Sequence, residues 1–168
     1  CCIREGIRWC VEIYHCLNKL LKERKLATGV GDEGGFAPDL ESEIVAIDLI
    51  MEAIDKAGFA PGKDVMISLD VAASEWKCGA VGKYLMPKQQ RIYTTQDLIE
   101  EWLEIKDKYP IFSIEDPLDE NDWSGWKELT KRGGDSLVLV GDDLFVTNKK
   151  RLQSGIEKKT ANAILIKP

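Results

Sequence analysis

The sequence has little of what metal-thiolate, disulfide-bonded or membrane proteins need. It contains one histidine and five cysteines, and no C-x-x-C pair occurs among them. An odd cysteine count without regular spacing does not suit a disulfide framework. A zinc site at Cys1, Cys2 and His15 is an alternative, but reduced thiols in the cytoplasm are the simpler interpretation, with His15 packing within a helix. No run approaches the ~20 apolar residues of a membrane span, and no signal-peptide pattern opens the chain.

Basic residues are outnumbered by acidic ones. The chain has 29 acidic against 23 basic residues, a net charge of −6. This argues against nucleic acid as the partner, because phosphate backbones are bound by clustered Lys and Arg. With 44% hydrophobic and 31% charged residues, the composition is typical of a globular domain. The 168 residues can bury one core. They fall short of the roughly 200 residues of a complete (β/α)₈ barrel.

Helical and strand patterns alternate along the chain. Apolar residues at spacings of three and four predict helices, and short β-branched runs between them predict strands. This alternation is typical of parallel βα units, and nearly continuous apolar strands suit a sheet covered on both faces. We interpret the tryptophans as packing groups at element edges. The predicted helices cover residues 3–21, 41–57, 95–108, 123–132 and 148–159; the predicted strands cover residues 65–69, 111–114, 137–141 and 163–166.

A charged residue follows each predicted strand. The four residues are Asp70, Glu115, Asp142 and Lys167. In a parallel barrel the carboxyl ends of strands meet on one face, which holds the active site. Three carboxylates brought together need a cation, and oxygen-only ligands favour Mg²⁺. A lysine beside them could act as a base. The pattern alone leaves another interpretation open, since charges also follow buried strands where the chain returns to water.

Five longer motifs resemble segments of the enolase family and occur in that family's order. A single D-E-G-G segment would be an ordinary turn, but the ordered set covers nearly the whole chain and is specific. The motifs are VGDEGGFAP at residues 30–38, SLDVAASE at 68–75, SIEDP at 113–117 with DW at 122–123, VGDDLFVTN at 140–148, and AILIK at 163–167.

The resemblance implies a role for each matched residue. Asp70, Glu115 and Asp142 match the ligands of a Mg²⁺ cofactor. Lys167 matches the base that removes the C2 proton of 2-phosphoglycerate, and Glu33 matches the acid that assists loss of the C3 hydroxyl. The implied reaction is reversible dehydration to phosphoenolpyruvate, a carbon–oxygen lyase step of glycolysis and gluconeogenesis. Glu33, Glu115, Asp142 and Lys167 would contact this small-molecule substrate.

The resemblance also implies the fold and the assembly. We expect an α/β fold, a partial TIM-type (β/α) barrel that is incomplete at both ends. Residues 1–168 would be a fragment of the C-terminal barrel domain. The family's N-terminal α+β domain and last barrel strands, which carry a second active-site lysine and the phosphate-binding groups, have no counterpart here. We therefore expect the isolated chain to be inactive or nearly so, and its parent to be a cytoplasmic homodimer or larger.

Two alternatives remain open at this stage. One is a truncated, non-catalytic binding module that keeps the metal ligands. The other is a different acid dehydratase of the enolase superfamily, for example one acting on a sugar acid. The segment around Glu33 and the pair Asp142 and Asp143 weigh against this second alternative.

Overall fold

The computed structural model describes residues 2–168 and divides the chain into two compact units, one ending at Val65 and the other beginning at Met66. Each unit has its own elements. The first contains two helices, and the second contains a parallel sheet, a hairpin and three further helices. In chain order the elements are α1 (Ile3–Glu23), α2 (Glu43–Lys56), β1 (Ile67–Asp70), a 3-10 helix (Ala73–Trp76), β2 (Lys83–Met86), β3 (Arg91–Thr94), α3 (Thr95–Lys108), β4 (Ile111–Glu115), α4 (Trp123–Gly133), β5 (Val138–Gly141), α5 (Lys149–Lys158) and β6 (Ala163–Ile164).

The first unit is built on α1 packed against α2. The apolar stripe of α1 is buried only near its end, at Leu20 and Leu21, whereas Ile3 and Ile7 are exposed. Ser42 begins α2 by accepting a hydrogen bond from the Val45 amide at 3.4 Å. Across residues 2–168, no helix combines the length and apolar character that crossing a bilayer requires.

The second unit carries a four-stranded parallel sheet. Its strand order is β1-β4-β5-β6, and helices α3, α4 and α5 connect the strands after the hairpin. Since β1 and β6 are its two edges, the sheet is a partial barrel that does not close. The predicted α/β fold is therefore confirmed. The expectation of strands covered on both faces holds only in part, because Ile114 is fully buried but Phe112 is 53% exposed.

Local signals place the helix ends well. Thr94 and Asp97 form a capping box at the start of α3, and Asp122 and Asn148 accept backbone hydrogen bonds at the starts of α4 and α5. The strand β6 is shorter than predicted, although the Leu165 amide beyond it still donates to the Gly141 carbonyl at 3.2 Å.

No sequence pattern predicted the antiparallel hairpin of β2 and β3. Tyr84 lies opposite Tyr93 in this hairpin. Burial alternates along β2, where Tyr84 and Met86 are buried and Leu85 between them is exposed, but the sequence Tyr84-Leu85-Met86 is apolar throughout and shows no such alternation. The two strands are four residues each, which leaves little length for a periodic sequence pattern.

Candidate metal centre

Parallel register brings the predicted carboxylates to one edge of the sheet. Asp70 is the last residue of β1 and pairs with Glu115, the last residue of β4. Glu115 in turn pairs with Val140 in β5, two residues before Asp142. Because neighbouring parallel strands end side by side, these acids lie at the carboxyl edge, as the sequence predicted.

A tighter acidic group lies within this edge. Three carboxylate oxygens lie within 4.8 Å of one another, one each from Glu115, Asp116 and Asp142. Two of the three predicted ligands are in this group. Asp70 lies outside it, although its backbone is in register with Glu115. Asp116 is the additional member, and no sequence pattern assigned it a role.

The electrostatics of this group suit a bound cation. Partial burial raises the pKa of the Glu115 carboxyl, and the negative charges of Asp70, Asp116 and Asp142 raise it further. Lys167 opposes them by lowering that pKa. Hard divalent cations prefer such oxygen donors, and a cation here would offset the mutual repulsion. The residues present therefore fit a Mg²⁺-type ion.

Lys167 joins the carboxylate cluster from the end of the chain. Its Nζ lies 2.6 Å from Oδ2 of Asp142, and the lysine side chain is 67% exposed against 15% for Asp142. The hydrogen bond and charge of Asp142 raise the pKa of Lys167, and Asp143 and Glu115 add to this. The backbone amide of Lys167 donates to Oγ1 of Thr147 at 3.1 Å. Without a cation, Lys167 is thus held in its protonated form.

Asp116 differs from its neighbours in its surroundings. The residue is only 3% exposed, and its carboxylate accepts hydrogen bonds from the backbone amides of Asp142 at 3.1 Å and Asp143 at 2.8 Å. Burial raises the pKa of its carboxyl to about 6, and the charge of Asp143 contributes. The only sequence signal for Asp116 was its position directly after Glu115.

The loops that follow β4 and β5 are tied together by Arg151. Its guanidinium donates to the carbonyl oxygens of Leu144 and Glu120, both at 2.6 Å, and lies 5.2 Å from the ring centre of Trp123. The Ser74 hydroxyl also donates to the Glu120 carboxylate. These contacts fix the two loops that carry the acidic group, and they agree with the interpretation of Trp123 as a packing residue.

Glu33 lies in the first unit, in the glycine-rich loop. An antiparallel bridge between Val30 and Phe36 closes this loop, and Gly34 takes a positive φ of 84° at its turn. Tyr14 of α1 stacks on Phe36 with ring centres 4.3 Å apart. Glu33 itself is exposed. Its role as a catalytic acid stays a prediction.

The zinc alternative gains no support from the part of the chain that the structure describes. Within residues 2–168, neither Cys2 nor His15 belongs to a group of three or more clustered metal-ligating side chains. Cys1, the third residue of that alternative, lies outside the described residues.

A parallel α/β sheet with acids and a lysine at its carboxyl ends defines a barrel-type site suited to divalent cations. All 168 residues match one family, described as the enolase C-terminal TIM barrel domain. The chain therefore belongs to this family. Membership supports a lyase or dehydratase of the enolase superfamily, without specifying the acid on which it acts.

Proposed function

We propose that this chain forms part of the C-terminal barrel of a Mg²⁺-dependent lyase that reversibly dehydrates 2-phosphoglycerate to phosphoenolpyruvate. The observation that carries the proposal is the contact of Lys167 with Asp142 inside a cluster of strand-end carboxylates. A base and a cation site so close together suit removal of a proton next to a carboxylate. The family match and the ordered motifs support the same reaction.

The cation site would consist of Asp70, Glu115 and Asp142. A proton next to a carboxylate is weakly acidic, because its removal places a second negative charge on that group. When bound, Mg²⁺ stabilises this developing charge. The three carboxylates at the ends of adjacent strands would hold the ion and offset its charge.

Lys167 would remove the C2 proton. It must lose its own proton first, and Asp142 opposes this by raising the pKa of the lysine. If Asp142 held a cation, its negative charge would be offset and less available to Lys167. This would lower the pKa of Lys167 and favour the neutral amine.

Glu33 would donate a proton to the leaving C3 hydroxyl. Hydroxide is a poor leaving group, so an acid is needed at that position. The positive φ of Gly34 allows the tight turn beside Glu33. In this proposal, Lys167 and Glu33 act in turn as base and acid.

Mg²⁺ titration by calorimetry tests the cation site. Glu115→Gln and Asp142→Asn are expected to weaken binding by more than about tenfold, because even the loss of outer-shell partners costs that much. Asp135→Asn is the matched control, since Asp135 is exposed and precedes β5 instead of following it. Equal affinities for all four proteins would contradict the assigned site.

Substrate binding separates the proposed reaction from the alternatives. With Mg²⁺ present, 2-phosphoglycerate is expected to bind through the ion, more weakly than to a complete barrel, and binding should be lost in EDTA. Mg²⁺-dependent binding of gluconate instead would favour a sugar-acid dehydratase. Mg²⁺ binding with no acid bound would favour a non-catalytic module. Turnover at ordinary enzyme rates would contradict our expectation that the isolated chain is inactive.

A further inference from the structure

We propose that Asp116 is a positioning residue that holds the backbone carrying Asp142, and not a metal ligand itself. This inference rests on the proposed function, because it assigns a role within the same cation site. It explains why a third acid lies within 4.8 Å of Glu115 and Asp142.

Both oxygens of Asp116 are directed to the backbone of the loop after β5. Oδ1 accepts from the amide of Asp142 at 3.1 Å, and Oδ2 accepts from the amide of Asp143 at 2.8 Å. A carboxylate that receives two adjacent amides fixes the path of the chain between them. The direction of the Asp142 side chain therefore depends on Asp116.

Burial distinguishes Asp116 from the proposed ligands. Asp116 is 3% exposed, whereas Glu115 and Asp142 are of intermediate exposure at the carboxyl edge of the sheet. A ligand must keep lone pairs available toward the ion and its other ligands. Each oxygen of Asp116 already accepts a backbone amide of the loop that carries Asp142, as outer-shell carboxylates do when they orient a ligand.

The backbone of Asp116 also connects three parts of the second unit. Its amide donates to the Val140 carbonyl in β5, and its carbonyl accepts from the amide of Ala73 in the 3-10 helix, both at 3.0 Å. Its φ of +42° lies in the left-handed region. Asparagine tolerates this region as well as aspartate does. Asp116→Asn therefore changes one acceptor oxygen into a donor without straining the backbone.

Amide hydrogen exchange in metal-free protein tests the backbone role. In Asp116→Asn, the side chain can accept from only one of the two amides. We expect the amide of Asp142 or Asp143 to exchange at least about fivefold faster, as the loss of one hydrogen bond implies. Amides of β4 should be unchanged, which also shows that the variant folds. Unchanged exchange at both Asp142 and Asp143 would overturn the inference.

Terbium luminescence tests the distinction between positioning residue and ligand. Lifetimes in H₂O and D₂O count the waters on bound Tb³⁺. We expect Asp116→Asn to weaken Tb³⁺ binding by about 10- to 100-fold and leave the water count at saturation unchanged. Glu115→Gln, which removes a proposed ligand, should add about one water.

The outcomes separate the two proposals. An extra water in Asp116→Asn would make Asp116 a ligand and overturn the positioning role. Faster amide exchange with unchanged Tb³⁺ affinity would overturn only its effect on the metal site. A wild-type chain that binds neither Tb³⁺ nor Mg²⁺ would overturn the proposed function, and the positioning role toward a metal with it.

Discussion

The ammonium nitrogen of Lys167 lies 2.6 Å from Oδ2 of Asp142, so the proposed base and a proposed metal ligand form an ion pair. In the absence of a cation, this ion pair offsets the negative charge of Asp142. A metal ion that binds Asp142 must displace the lysine or share the carboxylate with it. Lys167 is therefore a competitor for the cation site as well as a candidate base.

Lys167→Met is expected to tighten Mg²⁺ binding severalfold. The substitution removes both a competing partner of Asp142 and a positive charge beside the site. Calorimetric titration at low ionic strength would measure the change, and added salt should reduce it. Lys131→Met, which changes an exposed lysine of α4, is the control. Weaker binding in Lys167→Met would mean that the lysine orients Asp142 instead of competing for it.

The capping box of α3 predicts a loss of stability in acid. The backbone amide and hydroxyl of Thr94 both donate to Asp97 and lower the pKa of its carboxyl. The folded state thus binds fewer protons than the unfolded state. The stabilisation is present above the ordinary pKa of 3.8 and is lost as the pH falls through the lower folded value.

Urea unfolding between about pH 6 and pH 2 would measure this effect. The stability difference between wild type and Asp97→Ala should shrink as the pH falls. A difference that stays constant with pH would contradict the assignment. Thr94→Ala, which removes the N-cap itself, is expected to cost about 1 kcal/mol at neutral pH.

Phe145 is packed between two glycines of the second unit. A Cβ atom added at Gly141 or at Gly155 would approach the Phe145 ring closer than 3.0 Å. The ring is 2% exposed and has little room to move. Gly155→Ala is therefore expected to lower the free energy of unfolding by about 1–3 kcal/mol, despite the better helix propensity of alanine.

Gly6→Ala is the matched control for Gly155→Ala. Gly6 also lies inside a helix, α1, but a Cβ there would have no neighbour within 4 Å. This substitution should be neutral or stabilising by up to about 1 kcal/mol. Thermal unfolding of both variants measures the contrast. Equal stabilisation by the two alanines would show that the Phe145 ring moves aside without cost, and would contradict this prediction.

Tyr84 is expected to contribute through its hydroxyl as well as its ring. The fully buried hydroxyl donates to Asp122 and accepts from the Asp119 amide, both at 3.1 Å. Tyr84→Phe would leave these buried partners short of a hydrogen bond, at a cost of about 1–3 kcal/mol. Urea unfolding would measure the loss. Tyr93→Phe on the facing strand is the control, and an equal effect there would contradict the role given to the Tyr84 hydroxyl.

The local sequence was sufficient for most elements and for the edge at which the acids lie. Apolar periodicity predicted α3 at residues 95–108, as observed, because a capping threonine and a following proline mark its ends. Strand β4 was recognisable from its β-branched residues. The sequence predicted that Asp70 and Glu115 lie close together, because each ends a strand and parallel strands end at the same edge of a sheet.

Features that depend on contacts distant in sequence escaped prediction. The roles of Tyr84 and its hairpin follow from burial against residues more than thirty positions away. No pattern distinguished Asp116 from Glu115, because Asp116 lies just after β4 with a left-handed φ of +42°, and only the fold shows that it is buried against the loop after β5.

Sequence by itself thus determined the succession of strands and helices and the acids that end them, because propensity and periodicity act over a few residues. Tertiary structure decided the partners of each acid. Asp116 receives the amides of Asp142 and Asp143, and Lys167 contacts Asp142, because the loops after β4, β5 and β6 converge at one edge of the sheet. Such pairings depend on register and loop path, which no local pattern encodes.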